Sequence, residues 1–200
     1  MSSIQDIDEI FHQSRIKVVI IGDARVGKSN LLSRFHRDEF NIENRPTIGI
    51  EFVTKIIPVT TIHTIRAEIW DTSGQDRYRS VTPAYFRGSV GAIIVYDITN
   101  RQSFENVNLW LRDFQRIINS DIDSDDEDED ENENENGNKN VKILLVGNKT
   151  DQRNERQVKT EEGQDFAINN GLMFVETSAL ANDNIEKSFT QFLIAAHRAI

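Results

Sequence analysis

The chain has 200 residues, 38% of them hydrophobic, with 23 basic and 33 acidic side chains and a net charge of -10. That length suits one domain with its own core, and no apolar run approaches the roughly 20 residues needed to span a bilayer. The absence of cysteine excludes disulfides, thiolate metal sites and cysteine nucleophiles within these residues.

The acidic excess is local. Residues 121–136, DIDSDDEDEDENENEN, hold eleven carboxylates and no basic group; setting them aside leaves a net charge of +1. A near-neutral remainder argues against general affinity for nucleic acid or anionic membrane. Residues 1–14, MSSIQDIDEIFHQS, lack the apolar core of a secretory leader, and Ser2 breaks the myristoylation pattern. They are expected to form a flexible extension. Ile4, Ile7 and Phe11 would share a face if helical, but the acidic neighbours make an anionic membrane a poor partner.

A strand is predicted over 15–21, ending at a glycine loop, followed by a helix over 29–36 with Leu31, Leu32 and Phe35 on one face. Residues 51–59 and 63–70 read as two strands joined by a tight connection. Residues 91–96 form a further buried run. Phe104, Val107, Leu111, Phe114 and Ile118 then recur at helical spacing. Residues 119–140 are acidic, Asn-rich and without periodicity, as expected of a disordered insertion. Strands follow over 141–146 and 172–176, and Ile185, Phe189, Phe192 and Ala196 mark a last helix. Alternating strands and helices predict one α/β domain over 15–200, with a six-stranded, mostly parallel sheet and about five helices. Its site should lie at the carboxyl ends of the strands. His12, His36, His63 and His197 show no metal-ligand spacing.

Three motifs fall at strand ends. Gly22-Asp23-Ala24-Arg25-Val26-Gly27-Lys28-Ser29 fits the G-x-x-x-x-G-K-[ST] phosphate loop. Inward-facing N–H groups and the positive end of the next helix suit phosphate oxygens. Lys28 would reach the β- and γ-phosphates, and the Ser29 hydroxyl would bind Mg²⁺. In IWDTSGQDRYR, Asp71 would hold a Mg²⁺-bound water, Gly74 allows close approach to a terminal phosphate, and Gln75 could orient an attacking water. Read alone, this stretch describes a strand ending in a turn more readily than a site. In LLVGNKTD, a carboxylate at Asp151, after Asn148 and Lys149, can accept from both N1–H and N2–H₂ of guanine; adenine lacks that donor pair. Alone, it too fits an ordinary strand-end turn.

In this order the motifs resemble those of small GTPases of the Ras superfamily, the Rab family in particular, over about residues 15 to 198 apart from the insertion. Rab-like signatures stand as IGIEF (48–52), WDTSGQDRYRS (70–80), YFRGS (85–89) and VYDIT (95–99). SNLLSRF (29–35) and NGLMFVETSAL (170–180) resemble the branch serving recycling endosomes. The resemblance implies a P-loop fold and a GTP/GDP switch with Mg²⁺ that hydrolyses GTP slowly. In catalysis, Lys28, Gly74 and Gln75 match the residues that act on the γ-phosphate. Gly22, Ala24, Arg25, Val26, Gly27 and Asn30 line the phosphate site. Thr47 matches the switch threonine, a second Mg²⁺ ligand beside Ser29. Phe40 matches the aromatic that packs edgewise on guanine, and Ser178, Ala179 and Leu180 match the loop that caps the guanine carbonyl. Ile48, Phe52, Trp70 and Tyr85 match an effector surface. An exchange factor and a GTPase-activating protein are expected partners of a cytoplasmic monomer recruited to vesicle or endosomal membranes.

Some positions depart from the family. Arg25 stands where a small residue is usual, and its side chain either nears the nucleotide or points into solvent. Ala24 would crowd the space near Gln75 and slow turnover, while Ser73 and Asp76 are mild changes. The family's cysteine tail does not follow the last helix in these 200 residues, and a chain ending at Ile200 would be expected to lack the usual lipid anchor. Other readings are a GTP-loaded binding module with little hydrolysis, a P-loop kinase or ATPase, and an interaction protein using its acidic run. NKTD at 148–151 argues against the second.

Overall fold

The structure, a computed structural model, describes residues 12–41, 50–72, 83–120 and 141–200. The expectations for Ile4, Ile7, Phe11, Thr47, Ile48, Ser73, Gly74, Gln75, Asp76 and the acidic run 121–136 lie outside these residues.

Among the described residues, six strands form one sheet: β1 (His12–Ile21), β2 (Ile50–Pro58), β3 (His63–Thr72), β4 (Gly91–Asp97), β5 (Lys142–Asn148) and β6 (Met173–Glu176). Their order is β2-β3-β1-β4-β5-β6. Only β2 runs antiparallel, against β3; the four other pairings are parallel. The described helices are α1 (Lys28–Arg37), α2 (Pro83–Phe86), α3 (Arg101–Glu105), α4 (Val107–Ser120), α5 (Thr160–Asn169) and α6 (Ile185–His197). None of them is long and apolar enough to cross a membrane.

Apolar periodicity explains the layers. Along β1, Ile16, Val18 and Ile20 face α1 and α6, where Phe35, Phe189 and Phe192 complete a buried cluster. Val19 and Ile21 face the other way, toward Trp110, Leu111 and Phe114 of α4. Period-two alternation on a strand places successive side chains on opposite faces. Both faces of the central strands are therefore covered, as parallel sheets require.

Most boundaries shift by one or two residues, and three differences from expectation matter more. The first strand starts at His12, because His12 N–H donates to Ile62 O (2.9 Å) and His12 pairs with His63 on β3. The apolar run around 104–118 is two helices, not one. Asn100 caps α3 by accepting from Ser103 N–H, and the chain turns at Asn106 before α4 begins. This break, with short α2, makes six helices among the described residues where about five were expected. Finally, α4 runs on to Ser120, over the first two residues assigned to the insertion.

The register delivers the motifs to one edge. Ile20 pairs with Asp71 across β1 and β3, and Asp97 pairs with Asn148 across β4 and β5. The ends of four strands therefore meet beside the glycine loop.

Candidate functional site

Residues 22–27 turn from β1 into α1 through two glycines with positive φ, Gly22 at 137° and Gly27 at 101°. A Cβ on Gly22 would lie 2.2 Å from the Val95 carbonyl oxygen; one on Gly27 would lie 2.3 Å from Asn148 Nδ2. Backbone conformation favours glycine at both positions, and at Gly22 the facing carbonyl also leaves no space for a side chain. Lys28 is buried, and its Nζ donates to the carbonyls of Gly22 and Asp23, both at 2.8 Å. Burial pushes its pKa down to about 8, with the negative charges of Asp71 and Asp23 opposing. A buried ammonium resting on neutral oxygens is poised for an anion. Ala24 and Arg25 are exposed, and Arg25 adopts a left-handed φ of 67°. With Lys149, Asp97 and Asn100 they border a cleft of about 440 Å³.

Ser29, in the first turn of α1, donates its hydroxyl to Asp71 Oδ2 at the end of β3. Asp71 is 2% exposed, and its Oδ1 has no hydrogen-bond partner among the described residues. Burial raises its pKa, against the Ser29 hydrogen bond and the Lys28 charge. An orphaned carboxylate oxygen beside a hydroxyl is a hard-oxygen donor set, and it fits Mg²⁺. The sequence-predicted neighbours Lys28, Ser29 and Asp71 are thus brought together.

On the other side of the loop, side chains do the joining. Asn148 Nδ2 donates to Val26 O (2.9 Å), while its Oδ1 accepts from Thr177 Oγ1 (3.2 Å) and Ala179 N–H (3.3 Å). Ser178 Oγ donates to Asp151 Oδ1 at 2.5 Å and accepts from Ala181 N–H. Lys149 has φ 71° and pairs with Asp97 Oδ2 at 2.6 Å. Phe40 is half-buried, with the Arg34 guanidinium 5.7 Å from its ring. Arg34 also donates to the carbonyls of Ala179 (2.8 Å) and Leu180 (3.2 Å). Asn30 Oδ1 accepts from Asn41 N–H (3.1 Å), tying α1 to the chain just past Phe40.

Sequence reasoning missed Arg34, Asp97, Asn106 and Trp110. Local spacing carries no sign of them, because each acts across a long stretch of chain. Phe52, Trp70 and Tyr85 come together on the surface. Phe52 stacks on Trp70 at 5.2 Å between ring centroids, and Tyr85 lies 6.2 Å from Trp70. Phe52 is 56% exposed, a large apolar surface left open on the edge strand.

The family model of the Ras family matches residues 17–198. The Ras-related protein YPTC6 of Chlamydomonas reinhardtii is 47% identical over 195 residues, which is 98% of this chain and 79% of that protein. The chain therefore belongs to the Ras family. Within it, the chain is a Rab-like small GTPase: a switch that binds GTP and GDP with Mg²⁺, hydrolyses GTP, and serves vesicle traffic through effectors, exchange factors and activating proteins.

Proposed function

We propose that this protein is a slowly hydrolysing Rab-type switch in which Lys28 holds the β- and γ-phosphates. The observation that carries this reading is the buried Lys28 ammonium on the Gly22 and Asp23 carbonyls. Backbone N–H groups of residues 22–27, with Asn30, line the phosphates. Ser29 and Thr47 would hold Mg²⁺, with Asp71 supporting its hydration, and the ion would supply positive charge to the phosphate oxygens. Gly74 lets the backbone approach the γ-phosphate, and Gln75 orients the attacking water. Asp151 reads guanine, Ser178 steadies Asp151, Asn148 and Lys149 brace the loops, Phe40 packs on the base, and the Ala179–Leu180 backbone caps it.

The GTPase domain runs from β1, at His12, to residue 200, and the acidic run interrupts it. Effectors dock on Ile48, Phe52, Trp70 and Tyr85 of a cytoplasmic monomer recruited to vesicle membranes. The stretches 29–35 and 170–180 support a place on recycling endosomes. A second reading, a GTP-loaded binding module, is favoured by Ala24, whose methyl would crowd Gln75, and by the unusual Arg25 beside it.

Identifying the nucleotide released from denatured protein, purified with Mg²⁺, separates these readings. Mostly GDP is expected. Mostly GTP, with no phosphate release in a single-turnover assay, favours the second reading. Bound adenine nucleotide overturns the assignment of Asp151.

A further inference from the structure

Asp23 is one of the unspecified positions of the loop motif, yet both its backbone and its carboxylate are engaged. Its carbonyl oxygen accepts from Lys28 Nζ at 2.8 Å. Its Oδ2 accepts from Asn106 Nδ2 at 2.7 Å, and its Oδ1 from Trp110 Nε1 at 2.8 Å. The two donors stand one helical turn apart, with Trp110 N–H closing on Asn106 O at 3.2 Å. A further hydrogen bond orients the Asn106 amide, since its Oδ1 accepts from Gln102 Nε2 at 3.1 Å and Nδ2 is left for Asp23. Trp110 is 4% exposed and packed in the cluster with Phe114 and Ile21, so its indole N–H is fixed in place. Hydrogen bonds to a carboxylate are shorter and stronger than neutral ones. The start of α4 therefore grips the loop at the residue whose carbonyl carries Lys28.

We infer that Asp23, Asn106 and Trp110 form a clamp that holds the phosphate loop at Lys28 and slows the departure of GDP. They are positioning residues, acting through Lys28, and the inference rests on Lys28 contacting the phosphates. For the loop to open, two charge-assisted hydrogen bonds must break together. Neither donor belongs to any motif read from the sequence.

The test loads the full chain with a fluorescent methylanthraniloyl GDP in Mg²⁺ and follows its release against excess GDP. N106D keeps the shape of the amide but turns a donor into a carboxylate facing Asp23. Release is expected to quicken by at least about tenfold, equivalent to about 1.4 kcal/mol. The double variant D23N/N106D exchanges donor and acceptor and leaves Trp110 an amide oxygen to bind, so release should return to within about threefold of the parent. A cooperatively melting N106D that releases within about twofold of the parent overturns the clamp, as does a double variant no slower than N106D.

Should N106D fail to fold, the parent protein still decides. With tryptophan labelled with ¹⁵N, the Trp110 indole signal is the one lost in W110F. It should resist hydrogen exchange with GDP bound and lose that protection when EDTA strips the nucleotide; equal protection in both states overturns the clamp. K28A keeps the underlying reading separate: release at the parent rate from K28A sinks the role of Lys28 itself, whatever N106D does.

Discussion

At the phosphate loop, Lys28 Nζ rests on two backbone carbonyls, and Gly22 and Gly27 leave room for main chain and side chain to close in. At the neighbouring loops, Asn148, Asp151, Thr177 and Ser178 are joined through their side chains. One half of the site is built from backbone and the other from functional groups. The difference teaches where each half is fragile. Backbone geometry fails when any atom is added, because a carbonyl cannot step aside. Side-chain networks fail when a group is removed, because buried partners are left unpaired.

The largest effects should come from adding one methyl to each glycine. In Gly22→Ala the new Cβ faces the Val95 carbonyl at 2.2 Å, and φ is 137°. Strain and overpacking together should cost about 3 kcal/mol or more, and folding itself is at risk. In Gly27→Ala the clash is with Asn148 Nδ2 at 2.3 Å, a side chain that can move. That variant should fold, but moving Asn148 also loosens Val26, Thr177 and Ala179. Thermal unfolding and GDP titration should therefore rank Gly22→Ala worse for stability, and show Gly27→Ala weakening GDP by about a hundredfold or more. Equal melting temperatures in the two variants would break the contrast between a backbone and a side-chain obstacle.

Asp151→Ala tests the other half. Ser178 loses its acceptor, and nothing remains to match the paired donors of guanine. GDP affinity should fall by about a hundredfold while discrimination against ADP collapses toward unity. Stability should change far less than in Gly22→Ala, since Asp151 is exposed. Competition titration with GDP and ADP, beside a melting curve, checks both. A variant that keeps its preference for guanine would move the reading of the base to Ser178 and Ala179.

The two halves were also unequally legible in the sequence. The phosphate loop could be read because its geometry demands glycine at fixed spacing and a lysine at the helix start. The strands could be read from their apolar runs, since β4 is buried at every residue. The break at Asn106 escaped because Phe104 and Val107 keep helical spacing through it. Helix α5 gave little signal because its buried residues are Gly163 and Ala167, small side chains against Tyr96 and Phe174. Arg34, Asp97, Asn106 and Trp110 were hidden for a different reason. Asn106 and Trp110 lie 83 and 87 residues from Asp23, and Arg34 lies 145 from Ala179. Which distant side chain reaches a loop is decided by sheet order and helix packing, not by local pattern.

Arg25 gives the smallest effect and the sharpest test of the backbone half. Its φ of 67° is left-handed, a conformation that costs a non-glycine residue about 1 kcal/mol or more. Its side chain is exposed and makes no hydrogen bond or ion pair among the described residues. If the loop works through its backbone, Arg25→Gly should relieve strain and leave the chemistry alone. Glycine also gives the unfolded chain more freedom, which offsets part of that gain. The melting temperature should therefore stay level or rise, by no more than about 4 °C for a chain of this size. GDP release and single-turnover GTP hydrolysis should match the parent. A changed hydrolysis rate would show the guanidinium acting on the nucleotide across the cleft it shares with Lys149. At position 25 the loop would then work through a side chain as well as through its backbone.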